Sequence, residues 1–386
     1  MKNNKISIFI GMCFLVIISV ATTLIFSGLG NLILTGTVNG YSSSDLAFIR
    51  KIMLSKDVLT EKFYENIDEE TLFDGAMAGM FAAVDDPYTE YLPEDKNRTL
   101  EEATQGKYEG VGIVVTLDTK SNFPEILYTL PNSPAEKAGI MAEDKIVSIN
   151  GESCKDMELT DAVELMKVGA GTKINFVLER AGKNIDISLM TEEIIINSVY
   201  SENIDGIGYI QITTFDELTA SEFETEYKKL RDENVKGFIL DLRDNGGGIY
   251  DEAVKIAKTL VPEGLIVYTE DKNGVRKEER SKGAGIDIPL VVLINENSAS
   301  ASEILAGAIK DRGCGTLVGE TTYGKGVVQG WFMIGDGTSI KLTIAKYFTP
   351  SGVSIEGTGI KPDIEVSEGK IGEDLQMAKA LEILKK

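Results

Sequence analysis

Three apolar runs in the C-terminal half are short, unbroken and followed by turn residues: IGYIQI (207–212), KGFILDL (236–242) and PLVVLIN (289–295). Runs of this length with little polar alternation predict strands buried on both faces, as in a mainly parallel sheet. SEFETEYKKLRDE (221–233), the second half of 236–261 and SASASEILAGAIKDRG (298–313) show helical spacing instead. Strand and helix therefore alternate, which predicts an α/β core around a central sheet. In such folds ligands sit at the loops beyond the carboxyl ends of the strands. Two of those loops carry unusual residues, Asp244–Gly248 and Asn297–Ser302.

Upstream the pattern changes. Residues 108–115 (YEGVGIVV) read as a glycine turn and a strand, and 132–153 as turn, short helix and strand ending in an Asn-Gly hairpin turn. Residues 161–190 read as a helix, a glycine loop and two strands. EETLFDGAMAGMFAAVDDPYTEYL (69–92) predicts a packed amphipathic helix that stops at Asp86-Pro87. GYSSSDLAFIRKI (40–52) reads as a linker entering a helix.

At the N-terminus, Lys2 and Lys5 precede a charge-free apolar run over 6–30. It is long enough to cross a bilayer as a helix. A signal peptide has a shorter apolar core and a small-residue cleavage site, so the length favours an uncleaved anchor. Cys13 lies inside the run rather than at its end, against a lipoprotein anchor. The lysines predict the N-terminus inside and the bulk of the chain on the outer face of a cell membrane.

Composition then narrows the chemistry. With 39 basic and 61 acidic residues the net charge is −22, which repels a nucleic-acid backbone. Cys13, Cys154 and Cys314 offer neither a disulfide framework nor a zinc pattern, and the chain has 0 histidines. GETTYGKG (319–326) falls one residue short of a phosphate-binding loop, because Gly326 stands where a hydroxyl is needed. The strand-like VVQGWFMI that follows is the wrong context, so nucleotide binding fails.

NENSASASEI (295–304) sets Ser298, Ser300 and Ser302 before a helix. They are either caps or include a nucleophile whose base is not histidine. Lys325, between two glycines and beside Val327 and Val328, has two readings. It is a solvated loop lysine, or burial favours its neutral amine and a serine hydroxyl gives it a proton.

Residues 106–191 resemble a PDZ domain, through GVGIVV, SPAEKAGI, DKIVSING and GTKINFVLERAGK. The resemblance implies that Gly110, Val111, Gly112 and Ile113 form a loop capturing a chain's terminal carboxylate, with the peptide added as a strand at the adjacent sheet edge. DLRDNGGG, NENSASASEILAGAIKD, GETTYGKGVVQ and KYFTPSGVSIEGTGIKPDIEV follow in order. Together they resemble the C-terminal processing peptidases, over nearly all of residues 60–370.

That resemblance implies a serine endopeptidase with Ser300 as nucleophile, Lys325 as general base and Gln329 orienting the lysine. Ser300 and Lys325 stand 25 apart (325 − 300), as in the family, and Gln329 at i+4 would share a strand face with the lysine. The oxyanion hole falls to Ala301 N–H and Gly246 N–H, with Gly247 in reserve. Ser298, Ser302, Glu303 and Asp311 read as structural.

The implied architecture is a protease core of strand–strand–helix units around a central sheet, with an inserted PDZ domain. The chain divides into a cytoplasmic stub and anchor (1–28), linker (29–45), helical region (46–105), PDZ domain (106–191), peptidase core (192–370) and helical C-terminal segment (371–386). No cofactor, metal or nucleotide is implied. The partners are proteins with free C-termini, the membrane and a second copy of the chain, through FDGAMAGMFAAV or the C-terminal helix unless these are ordinary core. The rival is a catalytically silent membrane-bound PDZ scaffold, disfavoured because Ser300, Lys325 and Gln329 are all present.

Overall fold

The computed structural model describes residues 37–38, 41–370 and 372–385. The apolar run over 6–30 lies outside them, and among the described residues no helix is long and apolar enough to cross a membrane. Two compact units divide between Asp85 and Asp86.

The first unit holds a two-residue strand pair, β1 (Thr37–Val38) and β2 (Tyr41–Ser42), then α1 (Ser43–Lys62) and α2 (Glu69–Ala82). Helix α1 takes in the last three residues of the expected linker because Ser42 and Asp45 close a capping box: Asp45 N–H donates to Ser42 Oγ at 3.1 Å and Ser42 N–H to Asp45 Oδ2 at 2.9 Å. Helix α2 forms where its spacing predicts, but the expectation that it is packed is corrected: none of its side chains is buried.

In the second unit, β3 (Glu90–Leu92) and α3 (Glu94–Gln105) lead to β4 (Lys107–Gly110). A small β body follows: β5 (Ile113–Asp118), β6 (Phe123–Thr129), α4 (Pro134–Lys137), β7 (Lys145–Ile149), β8 (Glu152–Ser153), α5 (Leu159–Glu164), β9 (Lys173–Arg180) and β10 (Lys183–Met190). The strand order is β10-β9-β7-β6-β5, with β8 on β7, so β5 is an edge. The body has its own core, including Ile126, Ile146, Phe176 and Leu178. Its neck is β11 (Glu192–Ile195) paired antiparallel to β4.

The larger body continues with β12 (Val199–Ile204), β13 (Ile207–Ile212), α6 (Thr219–Asp232), β14 (Phe238–Asp241), α7 (Tyr250–Leu260), β15 (Gly264–Asp271) and β16 (Arg276–Ser281). It ends with β17 (Leu290–Ile294), α8 (Ala301–Asp311), β18 (Thr316–Gly319), β19 (Val327–Gly335), β20 (Thr338–Phe348), β21 (Ile364–Glu365) and α9 (Leu375–Leu384). The central sheet runs β12-β13-β14-β17-β18-β21, parallel from β13 onward. Every residue of β14 and β17 is buried, as their unbroken apolar runs predict. Strand–strand–helix order holds for β12, β13 and α6, whereas β14 and β17 each run directly to a helix.

Alternate side chains sort to the two faces. Leu240, Val292 and Ile294 pack with Phe223, Ile256, Leu305 and Ile309 of α6, α7 and α8. Ile239, Val291 and Leu293 pack with Met377, Ala380 and Leu384 of α9. The C-terminal helix is therefore core of its own chain, with Ala380 at 0% exposure, rather than a helix left over for a partner. A second sheet, β16-β15-β20-β19 with β3 on β20, stands beside the first. The carboxyl ends of β13, β14, β17 and β18 open into loops on one edge, and those loops carry the site.

Candidate active site

The turn between β17 and α8 places the serines. Ser300 has φ 56° and ψ −113°, a conformation that costs a non-glycine residue about 1–3 kcal/mol and clusters at functional sites. It sits at a strand-to-helix elbow although no G-x-S-x-G pattern announces one. Ser298 and Ser302 are buried and engaged: Ser298 Oγ donates to Leu242 O at 2.8 Å and accepts from Asn295 N–H at 3.0 Å, and Ser302 Oγ donates to Asn245 O at 2.9 Å. Ser300 is half-buried and lines a cleft of about 660 Å³ together with Gly246, Lys325, Gln329, Trp331 and Tyr347.

The glycine loop after β14 is locked against that turn. Asn245, fully buried, donates its amide to Ile212 O at 2.8 Å, accepts from Gly247 N–H at 2.8 Å, and its carbonyl accepts from Ala299 N–H at 3.0 Å. Gly247 has φ +103°, and a Cβ there would lie 2.8 Å from Ser300 Cβ and 3.0 Å from Ala301 N. Only glycine allows this approach. Gly247 N–H is committed to Asn245, whereas the N–H groups of Gly246 and Ala301 make no hydrogen bond among the described residues. Ala301 opens α8, where the first amides have no partner within the helix.

Lys325 lies in the loop between β18 and β19, half-buried, with its Nζ 4.5 Å from the centroid of the Tyr88 ring. It forms no ion pair among the described residues. Burial first, and then the charge of Lys341, push its ammonium below the ordinary lysine value, against Glu356, Asp86 and Glu303. Gln329 lines the same cleft but does not bond to the lysine. Lys325 precedes the strand and a bulge separates Val328 from Gln329, so the i+4 rule for a shared face does not hold. Its amide donates to Thr343 Oγ1 at 3.4 Å instead.

Glu303, read from the sequence as structural, joins the two halves. Its fully buried carboxylate accepts from Ser300 N–H (2.8 Å) and Lys325 N–H (2.9 Å) on one oxygen. The other oxygen accepts from Gly324 N–H (2.8 Å) and the Thr322 hydroxyl (2.6 Å). Burial still pushes the carboxyl above its ordinary value, opposed by these four donors. Tyr347, also buried, donates its hydroxyl to Ser300 O at 3.2 Å and its N–H to Gly326 O at 2.9 Å. Neither role was visible in the chain, because one glutamate in a helix and one tyrosine in a strand carry no spacing signal. Asp311 is far along α8 and holds Ser351 N–H at 2.9 Å, a local structural role.

Glu303→Gln keeps the size of the group but turns an amide NH2 toward two donors. It is expected to lower stability by roughly 2–4 kcal/mol, from two buried donors left unsatisfied. Urea unfolding of the variant beside the wild type reads this.

In the β body, Gly110 ends β4, Val111 is buried with its carbonyl accepting from Ala135 N–H at 3.0 Å, and Ile113 opens the edge strand β5. Gly112 has φ +75°, and a Cβ there would meet Ser133 Cβ at 2.3 Å. Helix α5 lies against β5.

A family model for peptidase family S41 matches residues 206–366, one for the PDZ domain matches 125–180, and one for the activating protease CtpB N-terminal domain matches 35–96. Carboxy-terminal processing protease CtpA of Bacillus subtilis is 38% identical over 319 residues, spanning 82% of this chain and 68% of that protein. The carboxyl-terminal-processing protease of a Synechocystis species is 35% identical over 324 residues, 80% of this chain and 76% of that one. A solved structure from Bacteroides fragilis assigned to the S41 proteases is 18% identical, covers 86% of this chain and 96% of its own, and superposes with a TM-score of 0.53, a likeness of fold.

Proposed function

Given that the chain belongs to the carboxy-terminal processing proteases of peptidase family S41, we propose that it cleaves peptide bonds with Ser300 as nucleophile and Lys325 as general base. The observation that carries this reading is the Glu303 carboxylate, which ties the main chain of Ser300 to that of Lys325. The neutral Lys325 amine takes the Ser300 Oγ proton as Oγ attacks the scissile carbonyl carbon. Gly246 N–H and Ala301 N–H receive the developing oxyanion. The Lys325 ammonium returns the proton to the departing amine as the C–N bond breaks, leaving an acyl ester on Ser300. Water then attacks the ester, giving a proton to Lys325; the acyl C–Oγ bond breaks, Lys325 returns that proton to Ser300 Oγ, and the new carboxylic acid leaves.

The substrate is a protein with a free C-terminus. Its carboxylate is held by the main-chain N–H groups of the Gly110–Ile113 segment while its last residues add as a strand to the open edge of β5. The run over 6–30 anchors the chain in the cell membrane with the peptidase on the extracytoplasmic side. The apolar helical spacing of FDGAMAGMFAAV supports pairing with a second copy. The chemistry asks for no cofactor.

The test uses the full chain in detergent, without ATP or metal. An unfolded protein with an apolar C-terminus is compared with the same protein ending in charged residues. Cleavage about tenfold faster for the apolar tail is expected, the equivalent of one lost apolar contact or so. Equal rates for the two tails would remove the capture role of the β body. Binding of the apolar tail with no cleavage of either would favour a silent scaffold.

A further inference from the structure

The segment that begins the second unit reaches the base. Asp86 folds the chain back on itself: Tyr88 N–H donates to Asp86 Oδ1 at 3.3 Å, Thr89 N–H donates to Asp86 O at 3.2 Å, and the Thr89 hydroxyl donates to Asp86 Oδ2. The turn is pinned to β20, because Thr343 N–H donates to Thr89 Oγ1 at 3.1 Å. Next, β3 pairs with β20 at Tyr91↔Ile340. Tyr88 is thereby held with its ring face under Lys325 Nζ at 4.5 Å. Its hydroxyl faces that of Tyr323, two residues before the lysine. Gln329 joins the same assembly through Thr343.

We infer that Tyr88 is a positioning residue for the proton-accepting lysine, holding the Lys325 ammonium on its ring face during proton transfer. This rests on the peptidase reading above. When Lys325 takes the serine proton, a charge appears in a half-buried loop with no carboxylate paired to it. The negative face of an aromatic ring attracts such a cation, and more strongly where water is excluded. Other charges also face the amine: Lys341 from β20, Glu356 from the loop after it, Asp86 from the same turn, and Glu303 from α8. Lys341 and burial disfavour the ammonium, so the ring and the three carboxylates oppose them. The phenol itself stays neutral, pushed up to about 12 mainly by burial.

The sign follows. Removing the ring takes away stabilisation of the ammonium, so Lys325 loses its proton at lower pH. The same loss raises the barrier to forming the ammonium, so the rate at the alkaline plateau falls. A residue that merely supported the fold would lower the plateau without moving the midpoint.

The full chain is compared with Tyr88→Phe and Tyr88→Leu, with Tyr88→Met in reserve should the leucine variant lower the unfolding midpoint. Two titrations are read: kcat/KM against pH, and the rate at which acetic anhydride labels Lys325 against pH, followed by peptide mass spectrometry. For Tyr88→Leu the expected result is a plateau about tenfold lower and a midpoint shifted down by about 0.5–1 pH unit. For Tyr88→Phe both stay near wild type, within about twofold, because the ring face remains. An unmoved midpoint in Tyr88→Leu overturns the inference, as does a Tyr88→Phe profile equal to that of Tyr88→Leu. The labelling titration reports on the amine even where no peptide is cleaved, so failure of the peptidase reading and failure of this inference are told apart.

Discussion

Ser300→Ala is expected to lose cleavage by about 10³–10⁶-fold in kcat while remaining folded, as when a nucleophile is removed from a machinery that acts as a unit. The two neighbouring serines predict a different result. Ser298 Oγ is held between Leu242 O and Asn295 N–H at 0% exposure, so Ser298→Ala leaves buried groups unsatisfied. It is expected to cost about 1–3 kcal/mol of stability. Ser302→Ala strands only the Asn245 carbonyl, which already accepts from Ala299 N–H, and costs less. Cleavage rates beside urea unfolding curves for the three variants separate chemistry from stability. If Ser300→Ala cleaves like wild type, the nucleophile lies elsewhere.

Lys325→Ala is expected to lose activity by about 10³-fold or more, since the serine then has no acceptor for its proton and general-base catalysis alone supplies about 10²–10⁴. Lys325→Arg sharpens the test. A guanidinium keeps the charge but does not give up its proton in proteins, so this variant is inactive at every pH. For the wild type the sign is fixed by which form works. The neutral amine is the base, so kcat/KM rises with pH as Lys325 loses its proton. Burial and the neighbouring Lys341 hold that transition below the ordinary lysine value. A bell with a histidine-like acid limb has no source in a chain with 0 histidines. Activity that fell steadily as the pH rose would contradict the assignment.

Much of the core was legible because its physics is local. Unbroken apolar runs at 207–212, 236–242 and 289–295 gave β13, β14 and β17 within a residue or two, and the loops after two of them carry the serine turn and the glycine loop. Gly247 shows why that loop is glycine-rich: its φ of +103° and its approach to Ser300 leave no room for a Cβ. What was not legible depends on partners distant in the chain. Glu303 reads as an acidic residue in a first helical turn, and only the fold brings Gly324 and Lys325 to it. Tyr88 is 237 positions from Lys325 (325 − 88), so no spacing connects them. Gln329 lines the cleft, but a bulge at Val328/Gln329 breaks the period-two alternation that would set it on the lysine's strand face. Helix α2 was found, but period alone cannot say how deeply its apolar face is buried, and none of its residues is fully buried.

The most direct measurement is to trap the acyl ester. The full chain is mixed with an activated ester of an apolar peptide, quenched in acid within the first turnover, digested and mapped by mass spectrometry. One acyl group is expected on Ser300, its rate of appearance rising with pH in wild type and collapsing in Lys325→Ala. An adduct on any other residue, or acylation of Ser300 at an undiminished rate without Lys325, would contradict it.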